Sequence, residues 1–277
     1  MKTVLSIRRS ALLLAAATLT ALCAASAASA QAAASPNPVV LAPQAGASLA
    51  PSGPRLKVKS GPPAFDLTGV WWVTQPEGAA GFKPDPPLKP DAQKVLDEVN
   101  RLRGEGLNAR DKTGNCLPAG MPLIMTRVYP TQIMQQPKLI TIIYEYENSV
   151  RWIFMDGRDH PQGDDLIPSY YGHSVGWWEG DTLVVDTVGM NTEPDIQPGV
   201  PHTDKLHIVE RIKLTPEGFV DEMTMTDPNI FTKPWVTAKR YRKSDADLQE
   251  FVCLQENNHY ASGEDGILRS VDTPVKK

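Results

Sequence analysis

From residue 65 onward, apolar and polar positions mostly alternate along the chain. "LHIVERI" (206–212) and "TAKRYRK" (237–243) change character at every second residue, the period of strands with one wet face. "KLITIIYEYE" and "SVRWIFMDG" flank Asn148 and predict a hairpin. "GHSVGWW" and "TLVVDTVGM" flank Glu179-Gly180-Asp181, a turn in which Gly180 supplies the positive φ a short loop needs. "KLHIVERIKL" and "FVDEMTMTD" flank Pro216-Glu217-Gly218, and "KPWVTAKRYRK" and "LQEFVCL" complete the series. The first strand, "FDLTGVWWV" (65–73), carries adjacent tryptophans that face opposite sides of the pleat.

One segment breaks this period. In "PDAQKVLDEVNRLRGEG", Val95, Val99 and Leu102 share a face at helical spacing, Asp91 sits in the first turn, and Gly104 and Gly106 end the run. The pattern predicts an all-β protein with one N-terminal helix. Eight or nine strands on short turns make an antiparallel meander, and closing the sheet hides its edges completely. The expected architecture is therefore an up-and-down, lipocalin-like barrel, with a β-sandwich as the alternative. A small barrel of this strand count holds one modest ligand.

The first thirty residues follow other rules. Lys2, Arg8 and Arg9 precede an apolar run from Ala11 to Leu22, and Ala28-Ser29-Ala30 is a small-x-small site before Gln31. This is the pattern of a secretory signal peptide, so residues 1–30 are expected to be removed on export to the periplasm or beyond. No later run is long and apolar enough for a membrane helix, and no membrane insertion is expected after cleavage. Residues 31–64, rich in Ala, Pro, Ser and Gly, read as a flexible or extended segment before a single barrel domain at 65–277. Loss of the leader removes three basic residues and no acidic one, taking the formal charge from −4 to −7. That balance, without any basic run, argues against nucleic acid as a partner. Two cysteines remain, Cys116 and Cys253, and an even count in an oxidising compartment favours a disulfide between them.

Candidate chemistry lies in the histidines. His160, His173 and His202 each occupy a polar loop beside an expected strand, and alternate loops of a meander open at one end, so the three are expected to converge at the barrel rim. Asp204 lies two residues after His202 on the same extended face, with Glu210 deeper along it. Such a set supports a histidine general base oriented by a carboxylate, with His173, His202 and Asp204 as the catalytic candidates. It equally suits a divalent metal held by His160, His173 and His202, although their spacing matches no metal motif. Arg158, Tyr171, Trp177 and Glu210 are the candidate substrate-binding groups. His207, between Leu206 and Ile208, reads as a solvent or barrel-wall residue, and His259 as surface. "GHSVG" has the letters of a nucleophile elbow around Ser174, but a strand and turn follow where that motif needs a helix.

The run "DGRDHP…YGHSVGWWEGDTLVVDTVGMN…HTDKLHIVERI…TMTDPNIFTKPW" resembles a family of secreted bacterial proteins with the GHSxGxWEGDTLVVDT signature. The resemblance covers most of residues 65–260 and brings no assigned activity or catalytic residues. The expectation is an exported β-barrel enzyme acting on a small aromatic, hydroxylated or anionic molecule, as a lyase, isomerase or hydrolase. The alternative is a non-catalytic carrier or scavenger walled by Trp72, Trp177 and Trp235. A third reading is an accessory protein that docks through an exposed aromatic patch.

Overall fold

A computed structural model describes residues 62–74, 81–107 and 109–253, and the backbone of 260–262 and 268–270. The leader, nearly all of the 31–64 segment and His259 lie outside the described residues.

Nine strands close into a barrel in sequence order: β1 (Gly69–Thr74), β2 (Thr131–Gln136), β3 (Leu139–Tyr144), β4 (Ser149–Phe154), β5 (His173–Glu179), β6 (Thr182–Val188), β7 (His207–Thr215), β8 (Gly218–Thr226) and β9 (Trp235–Ser244), with β9 pairing back onto β1. The closed lipocalin-like barrel is the expected fold. Its strand directions differ from the expected all-antiparallel meander at one place. Each antiparallel neighbour reverses the chain direction, so a closed ring needs an even number of antiparallel pairs. Nine strands therefore require a parallel pair, and it falls between β4 and β5.

A parallel pair cannot be joined by a hairpin and needs a long crossover. Here the crossover runs from residue 155 to 172. The parallel ladder is short, matching only Ile153 with Ser174 and Phe154 with Val175, so β5 begins where β4 ends. Gly176 belongs to this seam, because a Cβ there would lie 2.6 Å from Met155 Sδ and 2.9 Å from Ile153 Cγ2.

The expected turns are present. Gly180 takes φ +60° between β5 and β6, and Asn148 takes φ +49° between β3 and β4. Residues 248–253 of "LQEFVCL" form no strand, and the ring instead includes β2, whose "TQIMQQ" carries only two large apolar residues. The helix α1 spans Pro90–Gly104. Pro90 starts it, Asp91 favours its N-terminus, and Arg101 and Arg103 favour its C-terminus. It buries Ala92 and Val99. Cys116, after α1, is bonded to Cys253, after β9, with a Cα–Cα distance of 5.6 Å.

The barrel interior is filled. Trp71, Ile133, Ile140, Ile142, Ile153, Trp178, Leu183, Ile208, Ile212, Phe219, Met223 and Tyr241 are all buried in one core cluster. Trp71 and Trp178 are core, whereas their neighbours Trp72 and Trp177 lie on the outer face, as the pleat demands. The cavity left inside measures about 30 Å³. A further two-stranded ladder pairs β10 (Tyr260–Ser262) with β11 (Leu268–Ser270).

Candidate functional site

The pleat of β5, β6 and β7 sorts their polar residues onto two faces. Ser174, Thr187 and Glu210 point inward, and His173, Asp186 and His207 point outward. The ladders match Val175 with Asp186 and Asp186 with Val209. Asp186 is thus the diagonal neighbour of both His173 and His207, within reach of long side chains.

The crossover supplies the fourth member. His160 Nε2 lies 2.9 Å from Asp186 Oδ1, and His160 Nδ1 lies 2.9 Å from His173 Nδ1. His207 Nε2 lies 3.0 and 2.9 Å from the two Asp186 oxygens. A single carboxylate on the outer wall therefore anchors a chain of three imidazoles.

The chain restricts where protons can sit. An ionised carboxylate only accepts, so both His160 Nε2 and His207 Nε2 donate to Asp186. One of the two facing Nδ1 atoms donates to the other, and in the tautomer where His160 Nδ1 accepts, His173 Nδ1–H donates to it. The remaining lone pair of His173 then resides on Nε2, which has no hydrogen-bond partner among the described residues. Such second-partner control of the tautomer is how a histidine is set up for proton transfer.

The two terminal imidazoles are driven in opposite directions. Burial, followed by the neighbouring His160 and Arg158, pushes His173 down to about 4. The hydrogen bond to Asp186 raises His207 above its ordinary value, against the effect of burial. Burial alone would raise Asp186, but the hydrogen bonds from His160 and His207 outweigh it and hold this carboxyl well below its usual range. Exposure increases along the chain: the side chains of His160, Asp186 and His207 are 14%, 21% and 41% exposed.

Aromatic and cationic groups hold His173 from the other side. Phe154, at the end of β4, stacks on its ring at 5.1 Å, and the Arg158 guanidinium lies 3.8 Å over Phe154. Arg158 is in turn gripped by Asp156. The crossover thus docks on the wall through His160 and Arg158 together.

The other candidates from the sequence lie elsewhere. His202 is buried at 6% exposure, and its Nδ1 bonds the carbonyl of Thr203. Asp204 faces solvent in an ion pair with Lys205, so it does not orient His202. Among the described residues no group of three or more His, Cys, Asp or Glu is arranged to hold a metal ion, and the set His160, His173 and His202 does not assemble. Tyr171 stacks at 6.2 Å on Tyr144, and burial pushes its phenol up. Trp177 bonds Glu179 on the outer face. Glu210 points into the barrel, paired with Arg151. Ser174, the residue of the apparent elbow, is fully buried and bonded to Arg151 and Thr187.

Sequence reasoning missed Asp186 and Phe154 and left His207 as a solvent or barrel-wall residue. A signal for Asp186 exists: it is an acidic residue in the otherwise apolar "TLVVDTV", on the same outward parity as His173 once the Gly180 turn fixes the hairpin register. No protein-family model and no curated protein matches the chain.

Proposed function

We propose that the protein is an exported β-barrel enzyme that moves protons on a small organic molecule at the outer-wall chain His173–His160–Asp186–His207. The observation that carries this reading is one carboxylate anchoring a chain of three imidazoles whose two end members, His173 and His207, are pushed apart in their affinity for protons. Paired titratable groups separated in this way are the usual marks of a general base and a general acid.

In this reading His173 is the base. It is neutral at physiological pH, and its Nε2 lone pair faces outward. Burial makes it a weak base on its own, and the chain offsets this. As Nε2 gains a proton, the Nδ1 proton moves toward His160, whose Nε2–H is held by Asp186. The developing positive charge thus forms beside a carboxylate. His207, raised and half exposed, retains a proton on Nδ1 while Nε2–H stays with Asp186, and serves as the acid. Abstraction at one ring and delivery from the other is the chemistry of a lyase or isomerase. Phe154 and Arg158 favour a substrate with an aromatic or anionic part.

The carrier alternative has less support. Small-molecule sites occupy roughly 300–1,000 Å³, whereas the barrel interior leaves about 30 Å³. Of the three tryptophans expected to wall a carrier, Trp72 and Trp177 lie on the outer face. Export is supported by the leader-like residues 1–30 and by the Cys116–Cys253 disulfide.

The test has two arms. Nitrogen NMR of the imidazoles should find His173 protonated on Nδ1 at neutral pH. A panel of small hydroxylated and aromatic carbonyl compounds, followed in D₂O for deuterium uptake or elimination, should yield a substrate whose turnover falls about 10²- to 10⁴-fold in His173→Gln and Asp186→Asn. Turnover equal to wild type in both variants, or a proton on His173 Nε2, refutes the proposal.

A further inference from the structure

Behind the histidine chain, on the inner face of the same strands, lies a second polar cluster that the proposed chemistry does not use. Arg151, Glu210 and Asp221 project into the barrel from β4, β7 and β8, each no more than 2% exposed. Arg151 donates from one terminal nitrogen to Glu210 Oε1 at 2.9 Å and from the other to Oε2, so both Glu210 oxygens are occupied. Asp221 is paired in register with Ile212, two residues along β7 from Glu210, which brings the two carboxyls to one side of the guanidinium. Tyr144 and Tyr241, both buried, complete the surround from β3 and β9.

Charge counting decides the protonation. Two ionised carboxyls facing one guanidinium would leave an unpaired negative charge in the interior, and buried groups shed such a charge by taking a proton. The proton belongs on Asp221, because Glu210 spends both oxygens on Arg151. Burial, reinforced by the Glu210 charge, raises Asp221 well above its ordinary value in agreement. One oxygen of Asp221 then serves the Glu210 side, and the other, Oδ1, is a buried acceptor with no partner among the described residues. A buried polar atom without a partner is costly. Asp221 also lines the interior cavity of about 30 Å³, which has room for a water molecule. The cluster is neutral with its shared proton, so its occupant is a neutral hydrogen-bond donor and not a cation.

We propose that the barrel interior contains a built site for a single water molecule that donates to Asp221 Oδ1, beside a carboxyl pair in which Asp221 carries the one proton. The titratable and charged groups facing it are Tyr144, Arg151, Glu210, Asp221 and Tyr241, one from each of five strands.

The experiment uses the wild-type protein, so it does not depend on a variant folding. Infrared spectra at pH 8 should contain the carbonyl stretch of a protonated carboxyl, which ¹³C labelling of aspartate side chains shifts and ¹³C labelling of glutamate side chains leaves in place. A high-resolution crystal structure should contain one solvent peak within hydrogen-bonding distance of Asp221 Oδ1. Asp221→Asn, checked for folding by circular dichroism, should lose the band. Absence of the band in wild type, a shift on glutamate labelling, or an empty cavity in the crystal overturns the proposal.

Discussion

Replacing Arg151 by methionine tests how the barrel is held at its parallel seam. The β4–β5 ladder matches only two residue pairs, so main-chain bonding across this joint is sparse. Arg151 reaches over it, donating to Ser174 on β5 at 3.2 Å from two nitrogens, to Thr187 on β6 at 2.9 Å, and to both oxygens of Glu210 on β7. Methionine retains most of the apolar stem and removes every one of these bonds. The main loss is not the bonds themselves but the Glu210 charge left in the interior, a change that costs about 3–5 kcal/mol in buried pairs. At roughly 2–4 °C per kcal/mol for a domain of this size, the midpoint of thermal unfolding should fall by about 6–20 °C. The double variant Arg151→Met/Glu210→Leu removes both charges and should recover most of that loss. Urea unfolding of the three proteins, fitted with a common slope, measures the differences. A single variant within about 1 kcal/mol of wild type, or a double variant no better than the single, would refute the reasoning.

The histidine chain makes stability depend on pH on both sides of neutrality. His173 is lowered to about 4 from 6.5, so its contribution is lost as pH falls from 6.5 toward 4. His207 is raised, so its contribution is complete below 6.5 and lost as pH rises through its folded value. In urea unfolding across pH, His173→Gln should flatten the acid limb and His207→Gln the alkaline one, and unchanged limbs would count against the chain. The disulfide closes a sequence separation of 137 residues, and Cys116→Ser/Cys253→Ser should cost about 4–5 kcal/mol on the chain-entropy account; a variant of wild-type stability contradicts it. Gly172 enters β5 at φ +63°, and a Cβ there would lie 2.6 Å from the Val188 carbonyl oxygen. Gly172→Ala should therefore cost about 1–3 kcal/mol and shift the His173 ring signals in NMR, and a silent substitution would show the turn to be pliable.

The barrel was legible because its signals are local. Alternation in "LHIVERI" and turn chemistry at Gly180 and Asn148 each fix a strand or hairpin without reference to the rest of the chain. β2 was not legible, because "TQIMQQ" is polar enough to read as a connection, and it becomes a strand only by filling the gap between β1 and β3. "LQEFVCL" has strand character, but β9 already pairs with β1 and β8 and leaves it no edge. The parallel pair follows from the parity of the strand count, which no single segment carries. For the site, the expected gathering of His160, His173 and His202 is reduced to a contact between His160 and His173 on the outer wall, with His173 the first residue of β5 and not in a loop. His207 was read from its alternation as a solvent or barrel-wall residue, and it lies on the outer wall bonded to Asp186. His202 was misjudged because its direction depends on the course of residues 190–206 around Asp227, whose carboxylate holds the Thr203 backbone.

The odd number of strands has a chemical corollary. A ring of eight alternating staves could join every neighbour with a tight reversal, and nothing would require the polypeptide to wander between the fourth and fifth. Here the mismatch in direction obliges it to leave the sheet and come back, and the detour is what delivers the middle imidazole to the carboxylate. In a barrel of this design, arithmetic and side-chain placement are tied, so deleting one stave would remove the reason for the detour and strand Asp186 with a single ring.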